Sequence, residues 1–437
     1  MGLKKLRGAV PRRVLLVSAV VGAVIMGDSM LYNVLPSHVA EFGIPIGLVG
    51  VLLSANRVVR LFSNPLAAWA VQRFGLTSLL VAAVVLAIGT TVTYGTVQWF
   101  GVLLLARVLW GVCFSIFRLG GYLVVLEESH ETTRGRLLGS YGIGVRVGSI
   151  VGVMLGGVLF DLTGRTTSFL IIAALGLLGL PAAISLGRQA RPPTVIDEPS
   201  IASTSQPQEN PGKGFRRRAW DFLLTPLPEL DFRHRRQLLA ASFTFFSLNL
   251  AVSGILVSSL GFYLSQQLEG GIAVAGIVIG IATVNGVLLS TRWLSGIAAP
   301  YFGYIGDRRG RERVLLAAMP VLILALLLFA LPLPPWITVS MLPFAFLATA
   351  ASTISLDALV GGLVPANRRA NVMSRYATWQ DIGSAIGPLV AFAVLSFSSL
   401  TPVYVGGATL LAVAVGLFMM ASRYRMARQP VSTERAS

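Results

Sequence analysis

Residues 55–75 read ANRVVRLFSNPLAAWAVQRFG, and residues 290–310 read STRWLSGIAAPYFGYIGDRRG. The two stretches share one spacing: Arg57-x7-Pro65-x7-Arg73-x-Gly75 in the first and Arg292-x7-Pro300-x7-Arg308-x-Gly310 in the second. The same offset of 235 residues pairs Arg134 with Arg369, Tyr141 with Tyr376, Gly148 with Gly383, Ser149 with Ser384 and Gly152 with Gly387. No gap is needed across roughly a hundred residues. A repeat of this length in an apolar chain implies a duplicated transmembrane bundle, an arrangement common among secondary transporters.

Apolar residues make up 54% of the 437-residue chain and charged residues 12%, with a mean hydropathy of +0.76. Soluble domains carry about a quarter charged residues, so this composition implies a polytopic protein of the lipid bilayer. The single cysteine, Cys113, lies in an apolar run; it excludes an intramolecular disulfide and argues against a thiolate metal site. Three scattered histidines, His38, His130 and His234, and the absence of Walker A, Ser/His/Asp or HExxH patterns leave enzyme and pump readings unsupported. No metal or cofactor is expected. The net charge of +17 is explained by topology, not by nucleic acid, because the basic residues cluster in short loops on one side of the apolar runs.

At about 20 apolar residues per span, twelve helices fit. They are expected near 14–36, 46–71, 76–97, 99–125, 137–160 and 168–187, then 238–266, 272–305, 314–331, 336–362, 374–397 and 403–421. The run from Val14 to Leu35 is too long for a signal-peptide core and no A-x-A site follows, so it reads as a retained first helix. Basic residues flank alternate loops, and the opposite loops hold only Arg165, which puts both termini in the cytoplasm. Six helices per half is an even number, so the repeat is parallel. The domain plan is a basic N-terminus (1–13), a six-helix bundle (14–187), a linker (188–237), a second six-helix bundle (238–421) and a tail (422–437). The linker begins rich in Pro, Ser and Gln. It then mixes Arg with Trp220 and Phe222, either as a solvated connection or as a segment lying on the anionic inner leaflet.

These loops and helices resemble the major facilitator superfamily (MFS) over nearly the whole chain. The resemblance rests on the signature G-x-x-x-D-R-x-G-R, complete in the second half as Gly303-Tyr-Ile-Gly-Asp307-Arg308-Arg-Gly310-Arg311. The first half carries a weaker copy, with Ala68 for glycine and Gln72 for aspartate ahead of Arg73 and Gly75. The resemblance implies an all-α membrane fold of two six-helix halves, with these residues forming cytoplasmic gates through charge-assisted contacts. Gly148-x-x-x-Gly152-x-x-x-Gly156-Gly157 resembles the glycine-rich motif of the antiporter subgroup. Its usual proline is Val153 here but survives in the mate Gly387-Pro388, beyond Gly383. Generic close packing of helices explains those glycines equally well. Asp28-x-x-x-Tyr32-x-x-x-Pro36 and Arg107-x-x-x-Gly111 resemble motifs of the twelve-span drug:proton antiporters.

Charges within the expected spans fall unevenly. The third, sixth, ninth and twelfth helices hold none away from their ends, whereas Asp28, Arg57, Arg60, Arg107, Arg118, Arg146, Arg292, Asp357 and Asp381 sit on the others. The family resemblance implies the same division, with every third helix facing lipid. A charge at mid-membrane costs roughly 2.5–3.5 kcal/mol on insertion scales, so each needs water, a partner or a ligand. Asp28 lies about 21 Å into its helix and is the candidate proton carrier; the alternative is a structural ion pair with Arg57 or Arg107. Arg57 and Arg292 are repeat mates suited to a small anion, or each braces its own half. Arg60 shares the face of Arg57. Arg118 is expected to pair with Glu127 or Glu128. Arg146 and Asp381 are repeat mates of opposite charge and candidates for the pathway.

The expected function is secondary transport of a small solute by alternating access, as a bacterial inner-membrane monomer, through proton-coupled antiport that exports an amphiphile. Transport of an anion between the paired arginines is the alternative, and a transporter-like scaffold or sensor is the reading from another class.

Overall fold

A computed structural model describes residues 10–130, 133–188, 232–268, 270–274, 276–364 and 369–426. In the first half, α1 (Arg12–Ser37), α2 (Ile46–Phe74), α3 (Leu76–Thr96) and α4 (Phe100–Glu128) precede α5 (Arg134–Gly176) and α6 (Gly179–Arg188). The second half opens with α7 (Phe232–Leu248), which runs through a π-helical segment, Asn249–Leu256, into α8 (Val257–Gln267). It continues with α9 (Ile281–Ser295), α10 (Ala299–Arg309), α11 (Arg311–Ala330), α12 (Pro335–Ser340), α13 (Leu342–Leu363), α14 (Arg369–Leu395) and α15 (Thr401–Met426).

Among the described residues, nine helical stretches are long and apolar enough to cross a membrane. One of them, Arg134–Gly187, is 54 residues, more than twice the length a bilayer needs. It is interrupted at Gly164, whose φ of 75° and ψ of 179° are not helical, so two consecutive spans are joined there. The repeat's glycines have a backbone reason: Gly75 (φ 77°) and Gly310 (φ 95°) each end one helix and start the next in a region that disfavours side chains.

Several sequence expectations are corrected. The window 272–305 is not one helix. Its first residues pair as an antiparallel hairpin of β1 (Ile272–Val274) and β2 (Ile277–Ile279), and helix begins only at Ile281. Short runs rich in Ile and Val fit strand as well as helix, and Gly270, Gly271 and Gly276 supply the positive φ values that the hairpin needs. The helix breaks again at the 3₁₀ turn Gly296–Ala298, just before Pro300. The linker gives way to helix at Phe232, ahead of the expected 238, and α15 continues to Met426, past 421. The expected features of 189–231, including the leaflet-binding stretch, fall outside the described residues.

The glycine motif of α5 packs on α1: Gly148 faces Gly22, Gly152 faces Met26 and Gly156 faces Met30. A Cβ on Gly156 would come within 2.6 Å of the Met30 side chain, so only glycine permits this approach. The mates behave alike, Gly383 lying against Phe246 and Gly387 against Gly254. The two halves meet along two seams, α5 with α9 and α2 with α14. Gly157 abuts the Ala282 carbonyl and Gly286 the Val153 carbonyl in the first seam; Gly50 abuts the Pro388 carbonyl in the second. The contacts between halves at Gly157, Gly286 and Gly50 lie toward the end of the molecule that holds the α1–α2 turn, hereafter the seam end. The signature loops after α2 and α10 lie at the opposite, motif end.

Candidate functional site

Between the seams lies a cavity of about 200 Å³ whose lining includes Asp28, Tyr32, Asn56, Arg57, Arg60 and Arg292. The repeat accounts for the arginine pair, since α2 and α9 carry Arg57 and Arg292 at matching positions. Asp28 comes from α1, held against α5 by the glycines. Phe114, Trp293, Val145 and Leu289 give the cavity apolar walls.

Asp28 is bound by Arg107 of α4 through Oδ1 and Nη1, and the Arg107 side chain has no exposed surface. Asn56 Nδ2 donates to the same Asp28 oxygen at 3.3 Å. Arg107 Nε donates to the Leu52 carbonyl at 2.9 Å, while its Nη2 is buried without a protein acceptor. Tyr32 donates to the Leu53 carbonyl at 2.5 Å, and its ring lies 5.1 Å from Arg107 and 5.4 Å from Arg57. One aromatic ring therefore serves two guanidinium groups, an arrangement favoured by the ring quadrupole.

Arg57 donates across the molecular midline to the Ser384 carbonyl. Arg292 instead donates to Ser253 Oγ at 3.0 Å within its own half, beside the Trp293 ring. The pair shares a cavity but not a bonding pattern. Arg60 lies 4.9 Å from the Phe114 ring, and its Nε is buried without a hydrogen-bond partner. Asp28 is the single carboxylate among the cavity's lining residues, against three guanidinium groups, and Arg107 already matches it.

Other sequence-selected charges lie outside this cavity. Asp381 faces Arg118 of the first half at 4.0 Å, so Arg118 does not take the expected glutamate partners. Arg13 takes them instead, reaching Glu127 at 2.9 Å and Glu128 at 3.0 Å. Arg146 is exposed and lies toward Gly296 of the second half, away from its mate's partner. In the intact signature, Asp307 binds Arg311 at 2.9 Å, Arg311 donates to the Ala358 carbonyl at 2.8 Å, and Arg308 stacks on Tyr304 at 4.6 Å. These contacts stay within the second half, because the i, i+4 spacing brings Asp307 and Arg311 onto one face. Gln72, Arg73 and Gly75 are exposed. Among the described residues, no group of three or more His, Cys, Asp or Glu side chains is placed to hold a metal ion.

The seam end is tied by polar groups. Asn33 Nδ2 donates to Val153 O at 2.8 Å and to Ala282 O at 2.9 Å, and Asn285 Nδ2 donates back to Asn33 O at 2.9 Å. Both asparagines are fully buried.

A sequence profile described as Major Facilitator Superfamily matches residues 17–295 and 286–436. The chain belongs to the major facilitator superfamily. The human synaptic vesicular amine transporter is 31% identical over 133 residues, which are 30% of this chain and 26% of that protein. A Na(+), Li(+), K(+)/H(+) antiporter of Planococcus maritimus is 37% identical over 119 residues, 26% of this chain and 28% of that one. These matches thus span about a quarter of the relatives' length. The multidrug resistance protein MdtG of Proteus mirabilis is 24% identical over 379 residues, 83% of this chain and 84% of that protein. The solved nucleoside transporter NupG superposes with a TM-score of 0.70 at 14% identity, over 94% of this chain and 99% of NupG, and this likeness shows the fold alone.

In this MFS chain, sequence reasoning found the cavity's charged residues and Tyr32 but not Asn56. Asn56 adjoins Arg57 and was passed over because it carries no charge. Asn33 and Asn285 show no motif, and only their burial in apolar helices signals a role. Arg165, expected in a loop, is buried and donates to Tyr94 O at 3.0 Å, to Glu41 O at 3.0 Å and to Val97 O.

Proposed function

We propose that the chain is a proton-coupled secondary transporter that moves a small amphiphile by alternating access of two six-helix halves, in the exporting direction, from a bacterial cytoplasmic membrane with both termini inside. The observation that carries the reading is the Asp28–Arg107 pair at the cavity wall. A proton and a guanidinium compete for one carboxylate. Protonation of Asp28 removes the charge that Arg107 binds and leaves that buried cation in need of another partner, which links proton occupancy to the packing of α1, α2 and α4. The similarity to a multidrug protein and to a cation/proton antiporter supports export and proton exchange. The distribution of basic residues supports the orientation.

The cavity's surplus of guanidinium groups favours a second reading, in which the solute bears an anionic group held beside Arg57 and Arg292. The amine-transporter similarity pulls the other way, but it covers 30% of the chain.

Proteoliposomes under an imposed proton gradient test both readings. Asp28→Asn should abolish gradient-driven transport while leaving solute exchange measurable; normal gradient-driven transport by this variant would sink the coupling role. Replacing Arg57 and Arg292 together by Gln should weaken an anionic solute at least about tenfold and a neutral one far less. Equal effects on both would remove the anion reading.

A further inference from the structure

Helix α9 begins after Gly280, which offers no side chain to cap it. The cap comes from the other half. Asp161 of α5 accepts from Thr283 N at 2.7 Å and Thr283 Oγ1 at 2.6 Å through Oδ2, and from Ala282 N at 3.3 Å through Oδ1. These are the second and third residues of α9, the two amides that a helix's own N-cap would satisfy. A carboxylate there also complements the positive end of the helix dipole. A Cβ built on Gly280 would fall on the Asp161 carboxylate, so a side-chain cap at position 280 and the cap from α5 exclude each other.

The repeat supplies an internal control. An offset of 235 residues carries Asp161 to Ser396 and Ala282 to Gly47. The mates do meet: a Cβ on Gly47, near the start of α2, would lie 3.3 Å from Ser396 Cβ. Ser396 Oγ, however, donates to Ala393 O at 2.6 Å within its own half. One seam is therefore closed by a charged cap and its counterpart is not.

We infer that Asp161 is a latch between the halves, holding the α5–α9 seam shut until its carboxylate leaves the start of α9. The latch rests on the alternating movement proposed above. Opening the seam end exposes two backbone amides and one carboxylate together, so Asp161 sets how much time the protein spends closed at that end.

The test uses the full chain in nanodiscs with Cys113→Ala, spin-labelled at Trp99→Cys and Trp336→Cys. These exposed positions begin α4 and α12 at the seam end of opposite halves. Asp161→Ala should lower the ratio of the short to the long distance population at least about tenfold, the weight of a charge-assisted cap. Adding Gly280→Asp to Asp161→Ala should restore thermal stability by recapping α9 but leave the long distance dominant. Ser396→Asp, which brings a carboxylate to the start of α2, should deplete the long distance below that of the parent. If Asp161→Ala does not fold, Asp161→Asn and Thr283→Val give the same reading in weaker form. An unchanged distribution in these variants overturns the latch, and so does recovery of the short distance by Gly280→Asp, because the role is then only helix capping. Distances are read without solute. A shifted distribution in a protein that transports nothing would sink the transport reading and leave the latch standing.

Discussion

Arg107 shows what a single buried guanidinium costs and how this protein meets that cost. A charge removed from water needs several kcal/mol of compensation, and breaking a buried pair from one side typically costs about 3–5 kcal/mol. Arg107 receives a carboxylate, a carbonyl and the faces of Tyr32 and Tyr94. His38, at the end of α1, is a simpler case. Its ring packs 4.7 Å from Phe160 and its Nδ1 lies 2.9 Å from Ser37 Oγ. Burial pushes its pKa below the ordinary imidazole value, while the Glu41 and Asp161 carboxylates and a bond to the Val34 backbone oppose the shift. The unfolded chain therefore takes up this proton first as pH falls. The stability that neutral His38 contributes is complete above about pH 6.5 and is lost as the pH drops toward its folded value. Thermal melts should show the melting temperature declining from about pH 7 to about pH 5, with His38→Gln flattening that decline. An identical slope in the variant would remove His38 as the cause.

At the scale of elements, the connections carry more of the structure than their loop-like composition implies. Arg165 follows the break at Gly164 and joins the α1–α2 turn to the end of α3, with its guanidinium 4.6 Å from the Phe42 ring. Hydrogen bonds from a charged donor contribute about 1.5–3 kcal/mol each, and deleting the donor strands the Tyr94 and Val97 carbonyls, while Glu41 O keeps a bond from Gln98 Nε2 at 3.0 Å. Arg165→Gln should cost roughly 3 kcal/mol. The loss is measurable as a lower melting temperature with the Asp28–Arg107 cavity still formed, and a change within about 0.5 kcal/mol would mean water replaces the arginine. The positive-inside pattern leaves Arg165 as its one exception on the opposite side, but it is silent about burial and so could not name this contact. The hairpin at 272–279 escaped for a different reason: an apolar run of its length has no periodicity that separates strand from helix.

Across the whole molecule, the duplicated arginine and glycine spacing made the two-half plan legible, because repeat mates must occupy equivalent positions. It also made the cavity legible in outline, since the repeat pairs Arg57 with Arg292 and a carboxylate deep in an apolar helix marks Asp28. The seams were not legible. They depend on which glycines face the other half, and Gly157 differs from Gly156 only in pointing across the midline. Asp161 was hidden because the expected fifth span stopped at residue 160. A side chain on Gly157 collides with the Ala282 carbonyl of the opposite half. Gly157→Val should therefore open the seam end and lower stability by roughly 1–3 kcal/mol, whereas Gly89→Val, where nothing lies within 4 Å, should do neither. Melting curves and the Trp99–Trp336 label distance check both.

Arg165 has one more consequence, in time rather than in space. Its acceptors at Glu41, Tyr94 and Val97 are synthesised 124, 71 and 68 residues ahead of it. Glu41 O meets Gln98 Nε2 early, but a nascent chain inserting in order holds the Tyr94 and Val97 carbonyls without this donor until the last span of the first half arrives. The first half is thus completed by its final helix, before any of the second half has been made to help it.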